Sequence, residues 1–281
     1  MLSCKMEEMD QKIRMVVCDI DGTITEKGED PKPITKEALQ RIHDEGIFLG
    51  LASGRPVDSR LIGKFQDWGL DFESDIVIGF NGNQFWTRFD RKREEIETLK
   101  RKEIEDLLGY LWDLDVNVIT YRNGYDCVLA KRMDWLLEAS QKRNKSVVQL
   151  TDRETILNTE TCKLEIRYDE EHEEELMKIV REHECDDYTH VKTFTGTLEF
   201  MKPGIDKGRA LRIICERLDI PLEEVMACGD MDNDTEMIRT AGIGVCMKNG
   251  CEASKEAADY ITEEDVDHDG LGKFFYRHLF R

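Results

Sequence analysis

The stretch IRMVVCDIDGT, residues 13–23, decides the fold. Its first eight residues form a short apolar run rich in β-branched side chains, the pattern of a strand buried on both faces in a parallel sheet. The run stops on Asp21-Gly22-Thr23, a turn signal. Asp19 and Asp21 therefore stand at the carboxyl end of a buried strand, the edge where open α/β sheets bind ligands. Their i, i+2 spacing puts both side chains on one face of an extended backbone. Two carboxylates this close repel each other, so one must be raised in pKa or neutralised by a cation. A hard metal with oxygen ligands suits that arrangement. Gly22 lets the chain turn sharply and turns backbone N–H groups outward.

Working outward, a second buried strand spans Ile47–Ala52 and ends in Ser53-Gly54-Arg55-Pro56. A third, Asp75–Gly79, stops just before Asn81-Gly82. Between the strands, Thr35 is expected to cap a helix carrying Ala38, Leu39 and Ile42, and a further helix runs from near Val57 through Leu61, Ile62 and Phe65. Strand, helix, strand, helix, strand at this spacing predicts a doubly wound α/β sheet.

The pattern changes after Asn83. Residues 84–99 are extended and partly polar. Ile104, Leu107, Leu108 and Leu111 recur at helical spacing. Strands are predicted at Val116–Tyr121 and Tyr125–Ala130, and a helix over Met133–Arg143. Residues 161–168, TCKLEIRY, alternate apolar and polar side chains, which predicts a sheet with one open face. A helix over Glu171–His183 and strands at Thr189–Phe194 and Thr197–Met201 follow. The first pattern then returns with a helix over Lys207–Leu218, a strand over Glu224–Cys228 ending in Gly229-Asp230, and a short helix over Met231–Arg239. Strands at Ile243–Met247 and Asp259–Thr262 and a helix over Leu271–Leu279 close the chain. The predicted architecture is a doubly wound, mostly parallel α/β core, residues 1–83 plus 202–281, interrupted by an inserted α+β cap domain, residues 84–201.

Of the 281 residues, 40% are hydrophobic and 36% charged, and the formal net charge is -20. So acidic a chain repels nucleic acid and anionic membrane surfaces, and any phosphate site in it needs local positive charge. The nine cysteines form no CxxC pair, and free thiols in apolar runs fit a reducing compartment. The opening MLSCKMEEMDQK lacks the apolar segment of a signal peptide, and no apolar stretch reaches the roughly 18 residues that span a bilayer. The expectation is a cytoplasmic protein; its oligomeric state is unreadable.

A third carboxylate, Asp230, also ends a predicted buried strand. The run Asp230, Asp232, Asp234 has an EF-hand flavour, but Thr235 stands where that loop needs Gly and Ala241 where it needs Glu. Four segments taken in order resemble the haloacid dehalogenase (HAD) superfamily, and within it the Cof-type (class IIB) phosphatases. They are Cys18-Asp19-Ile20-Asp21-Gly22-Thr23, Ser53 in Leu51-Ala52-Ser53-Gly54-Arg55, Lys207 in Pro203-Gly204-Ile205-Asp206-Lys207-Gly208, and Gly229-Asp230-Met231-Asp232-Asn233-Asp234. Cys246 and Gly250 replace alanines of a fifth, minor family stretch around Asn249.

The resemblance implies a phosphatase acting on a small phosphorylated metabolite, with a sugar phosphate as first expectation. Asp19 would be the nucleophile, forming an aspartyl-phosphate. Asp21 would be the general acid and base. Ser53 and Lys207 would hold the phosphoryl group. Asp19, Asp230 and the Asp21 backbone carbonyl would ligate Mg²⁺, and Asn233 and Asp234 would orient its shell. Arg55, Asn81 and Gly82 are substrate-side candidates. A phosphosugar mutase or other phosphotransferase would use the same segments, and a non-catalytic binding protein is the remaining alternative.

Overall fold

The structure is a computed structural model that describes residues 12–122, 127–144, 147–194 and 196–280. The opening segment read above and Tyr125 lie outside the described residues. In chain order the elements are β1 (Met15–Asp19), α1 (Pro33–Asp44), β2 (Phe48–Ala52), α2 (Ser59–Ile62), α3 (Lys64–Asp67), β3 (Ile76–Gly79), β4 (Gln84–Thr87) and β5 (Glu94–Glu95). Then come α4 (Arg101–Leu111), β6 (Asn117–Arg122), β7 (Cys127–Ala130), α5 (Trp135–Asn144), β8 (Val147–Leu150), α6 (Arg153–Leu157), β9 (Leu164–Arg167), α7 (Glu173–Glu182), β10 (Thr189–Phe194) and β11 (Thr197–Met201). The chain closes with α8 (Lys207–Leu218), β12 (Val225–Gly229), α9 (Thr235–Thr240), β13 (Ile243–Cys246), α10 (Glu252–Ala257), β14 (Tyr260–Ile261) and α11 (Gly270–His278).

The chain divides into two compact units, residues 1–94 with 206–281, and residues 95–205. The larger unit holds an eight-stranded sheet of order β14-β13-β12-β1-β2-β3-β4-β5. Every pairing from β14 to β3 is parallel, and β4 then folds back antiparallel on β3. The chain winds outward from β1 through β2 to β3, leaves, and returns beside β1 as β12. The switch of direction therefore lies between β1 and β12, where an α/β sheet opens a crevice at its carboxyl edge. Val16, Cys18, Leu49, Leu51, Met226 and Cys228 pack one face of the sheet against Leu39 and Ile42 of α1, Phe65 of α3 and Phe275 of α11. Helix α8, which buries Ala210, Leu211 and Ile214, packs beside α9.

Several boundaries differ from the sequence expectation. The sequence pattern places residues 84–94 in the insert, yet Gln84–Thr87 is a buried core strand. Its register, Val77 opposite Trp86, is set by the tight return through Phe80–Gly82. Thr35 is not a cap: Pro33 opens α1, and the Asp269 carboxylate accepts from the Thr35 backbone N–H at 2.8 Å. The helix expected from Val57 is broken at Gly63 into α2 and α3. The predicted Met231–Arg239 helix begins as a 3-10 turn over Asp232–Asp234 before α9. Four short elements, β8, α6, α10 and β5, went unread because each is too brief to show a period.

The smaller unit has a six-stranded sheet of order β10-β11-β9-β6-β7-β8. Val118, Leu164, Ile166, Leu198 and Phe200 of its strands form one cluster with Ile104, Leu107 and Leu108 of α4 and Leu176 and Val180 of α7. The alternation in β9 works as read, but the opposite side chains are not solvated. Lys163, Glu165 and Glu199 are each no more than 5% exposed. They are satisfied by one another and by neighbours. Lys163 Nζ donates to Glu199 at 2.5 Å, Tyr121 Oη to Glu165 at 2.6 Å and Arg167 Nε to Glu165 at 2.7 Å. Burial pushes the Glu165 carboxyl up, but the Arg167 and Lys163 charges outweigh it and hold it below the usual range.

Phe200→Ala, at a fully buried position, is expected to cost about 3–5 kcal/mol, read from urea unfolding. Because Glu165 titrates lower in the folded state, its contribution is present above the unfolded glutamate value of about 4.3 and is lost as pH falls through the folded one. Glu165→Gln should therefore destabilise the chain at pH 7 and by clearly less at pH 3.

Candidate active site

The site assembles at the carboxyl ends of β1, β2 and β12. Register pairs Cys18 with Cys228, so Asp19 and Asp230 emerge on adjacent strands. Asp19, Asp230 and Asp234 each offer an oxygen, all within 4.8 Å of one another. Lys207, first residue of α8, stands between them: its Nζ donates to Asp19 Oδ1 at 2.6 Å and to Asp234 Oδ1 at 2.5 Å. The ammonium is completely buried. A cation opening a helix has the wrong sign for the helix dipole, so the carboxylates, not the helix, hold it there. Burial pulls the Lys207 ammonium down, but Asp19 and Asp234 outweigh that and hold it above the usual lysine value.

One cation does not balance three carboxylates. Burial pushes the Asp19 carboxyl well up despite the neighbouring Lys207. Burial, reinforced by the Asp234 charge, pushes Asp230 up to about 7. The cluster thus has the electrostatics of a cation site, and its donors divide the work. Asp234 is fully used: one oxygen takes Lys207, and the other accepts the backbone N–H groups of Asp230 and Met231, each at 3.0 Å. Asp230 Oδ1 accepts from Thr23 Oγ1 at 2.8 Å. Among the described residues no hydrogen bond takes Asp19 Oδ2 or Asp230 Oδ2, which leaves these oxygens for a ligand. All-oxygen, anionic donors fit a hard divalent ion. Gly22, at φ +97°, lets the Asp230 carboxylate lie directly against it; any Cβ there would strike Asp230 Oδ2. Asn249 Nδ2 donates to the Gly22 carbonyl at 2.8 Å and secures that turn.

The second segment lies alongside. Ser53 is buried, and its hydroxyl accepts the Arg55 N–H at 3.2 Å. Arg55, expected to meet substrate, instead reaches Asp21: its Nη2 donates to both carboxylate oxygens, at 2.8 and 2.6 Å. Asn81 accepts from Asn233 Nδ2 at 3.0 Å, tying the β3 exit to the fourth segment. Gly82 rests on the Asp206 carbonyl, where a side chain has no room. Asp232 is exposed. Sequence reasoning missed Thr23 as the partner of Asp230; its place in the first segment was the available signal.

Lys207→Ala is expected to lower stability by about 3–5 kcal/mol, because it strands buried carboxylates, and Gly22→Ala, whose Cβ would displace Asp230 Oδ2, to weaken divalent-cation affinity by about tenfold or more and to lower the melting temperature. Isothermal titration and thermal melts read both.

The profile of the haloacid dehalogenase-like hydrolases matches residues 16–275. A 5-amino-6-(5-phospho-D-ribitylamino)uracil phosphatase of Bacillus subtilis is 26% identical over 276 residues, 97% of each chain. The crystal structure of a haloacid dehalogenase-like hydrolase from Bacteroides thetaiotaomicron is similar at a TM-score of 0.79 and 27% identity, covering 95% of this chain and 99% of that one. A subclass IIB sugar phosphatase, at 24% identity, shares the fold at a TM-score of 0.77, over 95% of this chain and 100% of that one. A match over nearly the whole chain thus shows the family: this chain belongs to the haloacid dehalogenase-like hydrolases, among the phosphatases that hydrolyse phosphomonoesters.

Proposed function

We propose that the protein is a Mg²⁺-dependent phosphatase of a small phosphorylated sugar or sugar alcohol, working through an aspartyl-phosphate on Asp19. The observation that carries this reading is the buried Lys207 bridge, which brings the third and fourth segments onto the nucleophile of the first. The substrate class is supported by the ribityl phosphate and sugar phosphates handled by the similar proteins.

In this mechanism the Asp19 carboxylate attacks phosphorus, and Lys207, which donates to its Oδ1, fixes the angle of that carboxylate. The ester P–O bond breaks, and Asp21 gives its proton to the departing alkoxide. Water then attacks the aspartyl-phosphate; Asp21 takes the water proton as the Asp19–phosphorus bond breaks. Ser53 and Lys207 hold charge on the non-bridging oxygens. Asp19, Asp230 and the Asp21 carbonyl would hold Mg²⁺, which screens the approach of one anion to another. Asp234 keeps Lys207 and the Asp230 backbone in place.

Asp19→Asn is expected to abolish turnover of sugar phosphates in Mg²⁺. Asp21→Asn should remove most of it, by about 10²–10⁴-fold, with Mg²⁺ affinity nearly intact. Unchanged rates in the Asp19 variant would refute the mechanism.

The raised Asp230 carboxyl gives a second check. Its folded value of about 7 exceeds the unfolded aspartate value, so its stabilisation is complete at low pH and is lost as pH rises towards 7. Added Mg²⁺ should therefore raise the melting temperature more at pH 8 than at pH 5.

A further inference from the structure

Arg55 is the second cation of the site, and it differs from Lys207 in being open to solvent. Its side chain is 36% exposed, that of its partner Asp21 30%, and that of Lys207 0%. The Arg55 backbone is clamped. Its N–H donates to Ser53 Oγ at 3.2 Å, and its carbonyl accepts the Phe80 N–H at 2.8 Å. Phe80, Asn81 and Gly82 hold that clamp with three consecutive left-handed conformations, φ 46°, 52° and 102°. Such strain in non-glycine residues costs about 1–3 kcal/mol each and persists where the surroundings enforce it. Only the guanidinium end of Arg55 is left to move.

On the mechanism above, Asp21 must meet the leaving oxygen, so the leaving portion of the substrate arrives where Arg55 now grips Asp21. A neutral leaving group offers the guanidinium only uncharged hydroxyl acceptors in exchange for that carboxylate, a weaker partner. A carboxylate or second phosphate offers the same charge and the same two-oxygen geometry, so the swap is close to even and leaves Asp21 disengaged beside the leaving oxygen. In a chain of net charge -20, a doubly anionic substrate also needs a cation to admit its second charge.

We propose that Arg55 is the specificity residue of this site: it transfers from Asp21 to a second anionic group on the leaving portion, so that the substrates are phosphomonoesters of sugars or polyols bearing a carboxylate or another phosphate. This rests on the phosphatase reading above and adds the class of leaving group.

The test uses matched pairs in Mg²⁺: 3-phosphoglycerate against glycerol 3-phosphate for the carboxylate, and propane-1,3-diol bisphosphate against its monophosphate for the phosphate. The wild-type protein is expected to favour the doubly anionic member of at least one pair by about tenfold or more in kcat/KM, chiefly through KM, the scale of one charge-assisted pair. The pair that responds identifies the group. In Arg55→Gln, checked for folding by its melting temperature, the preference should collapse to about twofold or less, and Arg55→Lys should restore part of it. A wild-type ratio near one in both pairs, or an Arg55→Gln variant that slows both members of each pair equally, overturns the proposal. Failure of the wild-type protein to hydrolyse any member, or p-nitrophenyl phosphate, refutes the phosphatase reading itself, and this inference falls with it.

Discussion

The bridge from Lys207 to Asp19 and Asp234 is the interaction on which the rest of the site depends. It joins residues 188 positions apart in sequence, and it is made inside the protein, where an unpaired charge is costly. With Lys207 buried to 0% exposure, two carboxylates have to come to it, and their arrival fixes the spacing of β1 against β12 and the entry angle of α8. The excess negative charge that remains is itself informative. Burial and mutual repulsion leave Asp19 and Asp230 with raised pKa values, the state of a cluster that is short of one cation.

Glycines make this crowding feasible at two points. Gly22 yields the space that Asp230 occupies, and Gly82 lets the exit of β3 lie on the backbone leading into Lys207. In both cases the side chain is absent because another group of the site fills its volume. The same logic explains Asp234, whose two oxygens are spent on Lys207 and on backbone N–H groups. It shapes the site without having an oxygen to spare for a ligand.

Much of this was legible in the sequence. β1, β2 and β12 are continuous apolar runs that end in polar signatures, and a strand buried on both faces can hardly be written otherwise. β10, β11 and α8 fell on the residues that periodicity assigned to them. Proximity was legible through the four segments, but partners were not. That Arg55 closes on Asp21, and Thr23 on Asp230, depends on rotamers and on backbone turns that a linear pattern does not encode. Gln84–Thr87 was misassigned because a polar-flanked strand looks alike whether it ends one sheet or begins an insert. The half-polar face of β9 was read as solvated because alternation reports which side a residue is on, and not whether that side is covered. Only the structure reveals that Lys163 and Arg167 neutralise Glu199 and Glu165 there.

The placement of β12 beside β1 bears on how the protein is made. Their paired residues are separated by some two hundred positions, Met15 lying against Val225. While the ribosome is still threading out the intervening segments, β1 has an uncovered hydrogen-bonding edge, and Asp19 at its end lacks the Lys207 ammonium that pairs with it. Open edges of this kind invite pairing with the wrong chain. Biosynthesis therefore passes through a window in which β1 waits for the residues from Lys207 onward, and the carboxylate–lysine cluster comes into being only at the end of that wait.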